Sequence, residues 1–151
     1  MSTLDDLDKR LLKELLRDSR RSYRELARRL SVAVTTVINR VQKMEESGII
    51  TGYPINIDYE KMGYELTVLT EISVSKGKLL EMEKEIAKMP SVCAVYDVTG
   101  LMDAMVIAKF KNRKELSDFT KGLLSMPFIE RTNTHVVLTT VKEDFRLAEA
   151  L

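Results

Sequence analysis

Residues 22–48 read SYRELARRLSVAVTTVINRVQKMEESG, and the spacing of their apolar positions decides how the first third of the chain folds. Ser22, with Glu25 three residues on, opens a helix whose inner face is Leu26, Ala27 and Leu30. After the turn SVAV, the residues Val34, Val37, Ile38, Val41 and Met44 keep a helical period until Gly48 supplies a C-terminal stop. Two helices joined across so short a turn, Leu30 to Val34, have the spacing of a helix-turn-helix. Working upstream, Leu7, Leu11, Leu12, Leu15 and Leu16 mark one face of a further helix over about 4–18, with Thr3 and Asp6 as its capping pair. Downstream the period changes. Ile49, Ile50, Tyr53, Ile55 and Ile57 alternate with Thr51, Gly52, Pro54, Asn56 and Asp58, which reads as a small wing of two short strands turning near Gly52 and Pro54.

In a helix-turn-helix the second helix lies in the major groove with its N-terminal residues at the base edges. The outward positions of that helix here are Thr35, Thr36, Asn39, Arg40 and Lys43. Their chemistry suits base and backbone contacts, since Asn pairs with adenine, Arg with guanine, a Thr methyl touches thymine, and hydroxyls and Lys reach phosphate. Arg24 on the preceding helix joins the set, because basic side chains flanking the duplex supply the sequence-blind part of binding. The charge supports a nucleic-acid partner locally: residues 9–43 hold eleven basic against three acidic residues, an excess of +8. The whole chain of 151 residues is near neutral at +1, which argues against a uniformly basic coat.

The stretch DYEKMGY, with its charges and Gly63, separates this half from a second one. The reading is a DNA-binding domain at 1–58, a linker at 59–64 and a second domain at 65–151. In the second domain, strands at 66–75, 91–100 and 103–110 and a last one beginning at Arg131 alternate with helices at 79–89 and 114–126. The order βαββαβ is that of a ferredoxin-like fold, an antiparallel four-stranded sheet with both helices on one face, so the chain is α+β. The face without helices should be polar, yet the alternation assigns it Leu69, Val95, Met105, Ile107, Val137 and Val141. Such a face calls for a second copy, and a homodimer through this domain is expected, which would present two recognition helices to DNA. A one-residue slip in the assignment would swap the faces.

Catalytic machinery is not visible. His135 is the only histidine and falls within an apolar strand, with no second ligand at metal spacing. The six glycines form no phosphate loop, and no serine sits in a nucleophile turn. The only cysteine, Cys93, reads as a buried structural thiol in VCAVYDV. No apolar run is long enough for a membrane span and the N-terminal residues lack a signal core, so the expected location is cytoplasmic. Neither a metal nor a cofactor is expected. The turn Thr99-Gly100-Leu101-Met102-Asp103 is the one small-molecule candidate: Gly100 leaves backbone groups unshielded and Asp103 suits a cationic amino group, with Thr132 and Thr134 on the last strand as further polar candidates. RNA binding on the sheet is disfavoured, because the middle strands offer only Tyr96 and Phe110 as stacking platforms. The remaining alternative is a small-molecule sensor or metabolic regulatory subunit acting through a protein partner.

A set of residues spread along the chain is familiar: Leu4-Asp5 with Asp8, Arg24-Glu25-Leu26-Ala27, Val37, Arg40-Val41, Glu45, Gly48-Ile49-Ile50, and Gly100 with Asp103. This pattern resembles the Lrp/AsnC family of feast/famine transcriptional regulators, over essentially the whole length. The resemblance implies a winged helix-turn-helix that binds double-stranded DNA, and a βαββαβ domain through which members dimerise and often assemble into octamers. It also implies an amino-acid effector held in the second domain at contacts between dimers, here near Thr99, Gly100 and Asp103, with Thr132 and Thr134 completing the pocket from a neighbouring subunit. Two departures stand out. Family members usually carry Gly, an apolar residue and Ser in the turn before the recognition helix, where this chain has Ser31, Val32 and Ala33. In the effector loop an acidic residue and an aromatic often follow the glycine, where this chain has Leu101 and Met102.

Overall fold

The computed structural model describes residues 4–75 and 77–151. By packing these residues divide into two units, one made of those up to Asn56 together with Lys142–Leu151, the other of those from Ile57 to Val141.

The first unit is built on α1 (Asp6–Arg17), α2 (Tyr23–Leu30) and α3 (Val34–Glu46). Its core is Leu11 and Leu15 from α1, Leu26, Ala27 and Leu30 from α2, and Val37, Val41 and Met44 from α3. Most of the inward positions that the periodicity assigns lie in or against this core, but Leu16 and Ile38 do not. Ile38 is 39% exposed and stands outside the core, since 100° per residue turns it away from Val37 and Val41. The capping pair of α1 is Asp5 with Asp8: Asp8 N donates to Asp5 Oδ1 at 2.9 Å and Asp5 N to Asp8 Oδ2 at 3.1 Å. Thr3, the sequence candidate, lies outside the described residues. Ser22 caps α2 as expected, accepting from Glu25 N at 3.2 Å.

The turn into α3 shows what the departures from Gly-apolar-Ser do. Ser31 sits in the left-handed region at φ 58°, a conformation that favours glycine, and Ala33 at the N-cap of α3 offers no side-chain acceptor. Neither Thr35 nor Ser31 caps the helix in its place. Ala33→Ser should therefore stabilise this unit by about 1 kcal/mol, and Ser31→Gly by about 0.5 kcal/mol, as higher thermal midpoints. No gain from either variant would mean that backbone solvation already satisfies the turn.

Residues 49–58 contain no strand, against the expected wing. Ile50 packs on the helical core and Tyr53 Oη donates to Glu45 Oε1 at 2.7 Å, but Ile55 is 81% exposed. Two arms of two or three residues around Pro54, which lacks an N–H, make too few ladder bonds to hold a hairpin.

The second unit is the βαββαβ arrangement: β1 (Leu66–Val74), α4 (Leu79–Ile86), β2 (Val92–Asp97), β3 (Ala104–Phe110), α5 (Arg113–Leu124) and β4 (Ile129–Val136). The sheet order is β2-β3-β1-β4 with every neighbour antiparallel. Val68 and Ile72 from β1, and Ala104, Val106, Ala108 and Phe110 from β3, pack beneath Met82 and Ile86 of α4 and Phe119 and Leu123 of α5. The last strand ends earlier than the run from Arg131 suggested, so Val141 lies beyond it, 94% exposed. Residues 59–64, assigned from sequence to a linker, form a turn in which Gly63 N donates to Glu60 O and Tyr64 N to Tyr59 O, both at 2.9 Å, with the two tyrosine rings edge to face at 5.6 Å.

On the uncovered face of the sheet, Leu69, Met105 and Ile107 appear as expected, joined by Ala94 and Tyr96. Val95 does not belong there. It pairs with Val106 and packs on the helix-covered core, because an irregularity between Val92 and Ala94 shifts the strand register by one. The same irregularity leaves Cys93 exposed, not buried. His135 is likewise on the open face: its Nε2 lies 3.0 Å from Asn133 Nδ2 and 3.3 Å from Glu71 Oε2. The bonds from Asn133 and His135 hold the Glu71 carboxyl below its ordinary value.

Candidate DNA-reading surface and effector loop

Most of the residues expected to touch DNA face outward. Thr35, Asn39 and Lys43 are exposed on α3, Thr36 is half-buried, and Arg24 is exposed on α2. Ile38 and Gln42 share the exposed side, so Thr35, Ile38, Asn39 and Gln42 form one row at helical spacing. Its chemistry is a methyl-bearing hydroxyl, an aliphatic chain and two carboxamides, which fits thymine methyls and adenine edges.

Arg40 is not in that row. Its guanidinium turns onto the N-terminus of α1, where Nη1 donates to Asp8 Oδ1 at 3.1 Å and also bonds Asp5 Oδ2. The Asp8 side chain is only 9% exposed and that of Arg40 32%. A carboxylate so placed needs a cation, and the arginine within reach is the one that supplies it. The Asp5 carboxyl is held below its usual range, first by the Asp8 N–H and then by Arg40.

Other basic residues of this unit are also paired. Arg20 meets Asp18 at 3.0 Å, Arg29 meets Glu25 at 3.1 Å, Arg21 is bonded to Glu14, and Arg17 meets Glu149 at 2.8 Å. The excess of +8 over residues 9–43 thus overstates the field, since the folded unit has thirteen basic and eleven acidic residues, a net of +2. Among the described residues Lys9, Arg10, Arg24, Arg28 and Lys43 make no ion pair, which leaves them available to phosphates.

In the second unit the loop between β2 and β3 closes on itself: Val98 N donates to Asp103 O at 3.1 Å and Asp103 N to Ile72 O at 2.9 Å. Thr99 and Gly100 are exposed at the tip, and Gly100 has φ 130°, which an L side chain rarely adopts. Asp103 Oδ2 accepts from Val74 N at 2.8 Å, where the β1–β4 ladder is irregular; among the described residues its other oxygen accepts no bond. Thr132 pairs across β1 with Ile72, at the same end of the sheet as Asp103, about two strand spacings or 10 Å away. Thr134 Oγ1 is bonded to Thr70 Oγ1 at 3.1 Å. The sheet is no base-stacking platform, because Phe110 is in the core and only Tyr96 is presented.

Comparison with known proteins separates regulation from the alternatives. The Lrp/AsnC ligand-binding domain model matches residues 67–147, and that of a winged helix-turn-helix DNA-binding domain matches residues 4–51. The chain is a member of the Lrp/AsnC family. An uncharacterised HTH-type transcriptional regulator of Pyrococcus abyssi is 54% identical, over 95% of this chain and 98% of that one. The HTH-type transcriptional regulator FL11 of Pyrococcus horikoshii is 35% identical, over 95% of both. Among solved structures, a transcriptional regulator of Neisseria meningitidis in complex with L-methionine superposes with a TM-score of 0.88 at 25% identity, covering 96% of each chain. This Lrp/AsnC protein is therefore a transcriptional regulator with a helix-turn-helix for DNA and a ligand-binding domain. No helix among its described residues is long and apolar enough to cross a membrane.

Two features of this Lrp/AsnC regulator escaped sequence reading. Ile38 looked like core because it adjoins Val37, and only its angle on the helix says otherwise. The Asp5–Asp8–Arg40 cluster joins residues 32 and 35 positions apart, but all three belong to the set that carries the family resemblance, and that coincidence was the available signal.

Proposed function

We propose that the protein acts as a dimer paired through the open faces of its sheets, that dimers assemble further toward an octamer, and that an α-amino acid bound at the 99–103 loop shifts this assembly and with it DNA affinity. The reading is carried by one observation: Asp103 is fixed by its bond to Val74 N, yet keeps an oxygen for a ligand ammonium, beside the unshielded backbone of Gly100. The L-methionine complex of the Neisseria relative supports the ligand class. Thr132, from a neighbouring copy, completes the pocket, while Thr134 needs to exchange its bond to Thr70 to take part. Leu69, Met105 and Ile107 on the uncovered face support self-pairing. On the DNA side, Thr35, Ile38 and Asn39 read bases, while Thr36, Lys43 and Arg24 reach phosphates. An amino acid that favours one assembly shifts the population toward it.

Calorimetric titration with each of the twenty amino acids, alongside sedimentation, tests the reading. At least one should release heat and change the assembly. Asp103→Asn should lose at least tenfold in affinity, since a carboxamide keeps the acceptor for Val74 N but lacks the charge. An Asn variant that binds as well as the parent removes Asp103 from the pocket, and silence from all twenty ends the amino-acid reading.

A further inference from the structure

We infer that Arg40 is a positioning residue for DNA recognition: clamped by Asp5 and Asp8, it sets the roll of α3 and so the aim of the Thr35–Asn39 row, without itself reading a base. The inference rests on the reading that this row faces DNA.

The clamp is directional. Asp5 and Asp8 each accept a backbone N–H of the other in the capping box, so both carboxylates are anchored to the first turn of α1 before Arg40 arrives. Arg40 then bonds both with one nitrogen of a planar guanidinium. The rest of the α3 interface is Val34, Val37, Val41 and Met44, apolar contacts that hold the helix down without a directional bond. A roll of about 20° at the ~6 Å radius of a side-chain tip moves that tip by about 2 Å, enough to break a hydrogen bond to a base edge. Releasing Arg40 to the groove would leave the carboxylate of Asp8, nine-tenths buried, without its cation and would leave the Asp5 carboxylate uncompensated as well. The geometry opposes a base-reading arginine from both sides.

The test uses the full-length protein, a duplex it selects from a randomised pool, and that duplex with each base pair changed in turn. Arg40→Gln should weaken the selected duplex by about 10- to 100-fold, lower discrimination at all positions read by the row together, and leave the slope of affinity against salt unchanged. Asp8→Asn, which cannot touch DNA if the clamp is as described, should give the same profile, and the double variant should be no worse than the poorer single one. Arg40→Lys should recover part of the loss. Asp5→Asn keeps its capping acceptor and half-exposed site, so it gives a mild version of the same profile in a folded protein. The inference is overturned if Arg40→Gln loses discrimination at one base pair alone while Asp8→Asn changes nothing, or if the salt slope falls by one phosphate contact. Asn39→Ala reports on the underlying reading separately: unchanged discrimination there removes the row from DNA whatever Arg40 does.

Discussion

Phe110→Ala is expected to destabilise the effector-domain core by about 3 to 5 kcal/mol, among the largest losses a single truncation can produce in this protein. Phe110 is almost fully buried, its ring centroid lies 5.1 Å from that of Phe119 on α5, and its backbone ends β3 opposite Leu66 at the start of β1. Removing the ring strips contacts from a helix and a strand pair at once. Since domains of this size are stable by about 5 to 15 kcal/mol, the variant should sit near the edge of folding. The chain has no tryptophan, so urea unfolding is best followed by far-ultraviolet circular dichroism, where the midpoint of the sheet domain should fall by more than about 1 M. Phe110→Leu should lose much less. A change below about 1 kcal/mol for the alanine variant would place the centre of the core elsewhere.

DNA affinity is expected to fall by about a thousandfold between 50 and 200 mM salt. Arg24, Arg28 and Lys43 make no ion pair in the folded unit and lie on the two helices of the helix-turn-helix. If two copies engage one operator and each of these side chains neutralises a phosphate, six contacts give a log–log slope of about −5. The paired arginines Arg20, Arg21 and Arg29 add little, because each already has a carboxylate partner and would exchange one anion for another. Counting every basic residue from Lys9 to Lys43 would instead forecast a slope steeper than about −15. Measured by fluorescence anisotropy on the selected duplex, a slope near about −3 would show that a single copy binds, and one near about −1 that these residues face away from the duplex.

Much of the local structure was legible because it depends on neighbours in sequence. Ser22 with Glu25 announced the start of α2, and the 3–4 spacing of Val37, Val41 and Met44 named the buried side of α3. The alternation in β1 and β3 placed Leu69, Met105 and Ile107 on the face without helices. Errors came where one residue of slippage or one missing neighbour mattered. Val95 changed face because the ladder is irregular between Val92 and Ala94, and the wing strands did not form because their short arms lack bonding partners. For the loop at 99–103, sequence named the residues but not that one oxygen of Asp103 is already used by Val74 N.

Sequence by itself determined the three N-terminal helices, the βαββαβ order of the second domain and the membership of a regulator family, since these rest on periodicity, capping and motif spacing that are local to each segment. Tertiary structure alone decided which polar side chains remain available. Arg40 lies beside the buried edge of α3, where its guanidinium is held by Asp5 and Asp8, and Arg17 is paired with Glu149, 132 positions away in sequence. Charge pairing acts through space over a few ångströms, and distance along the chain carries no record of it.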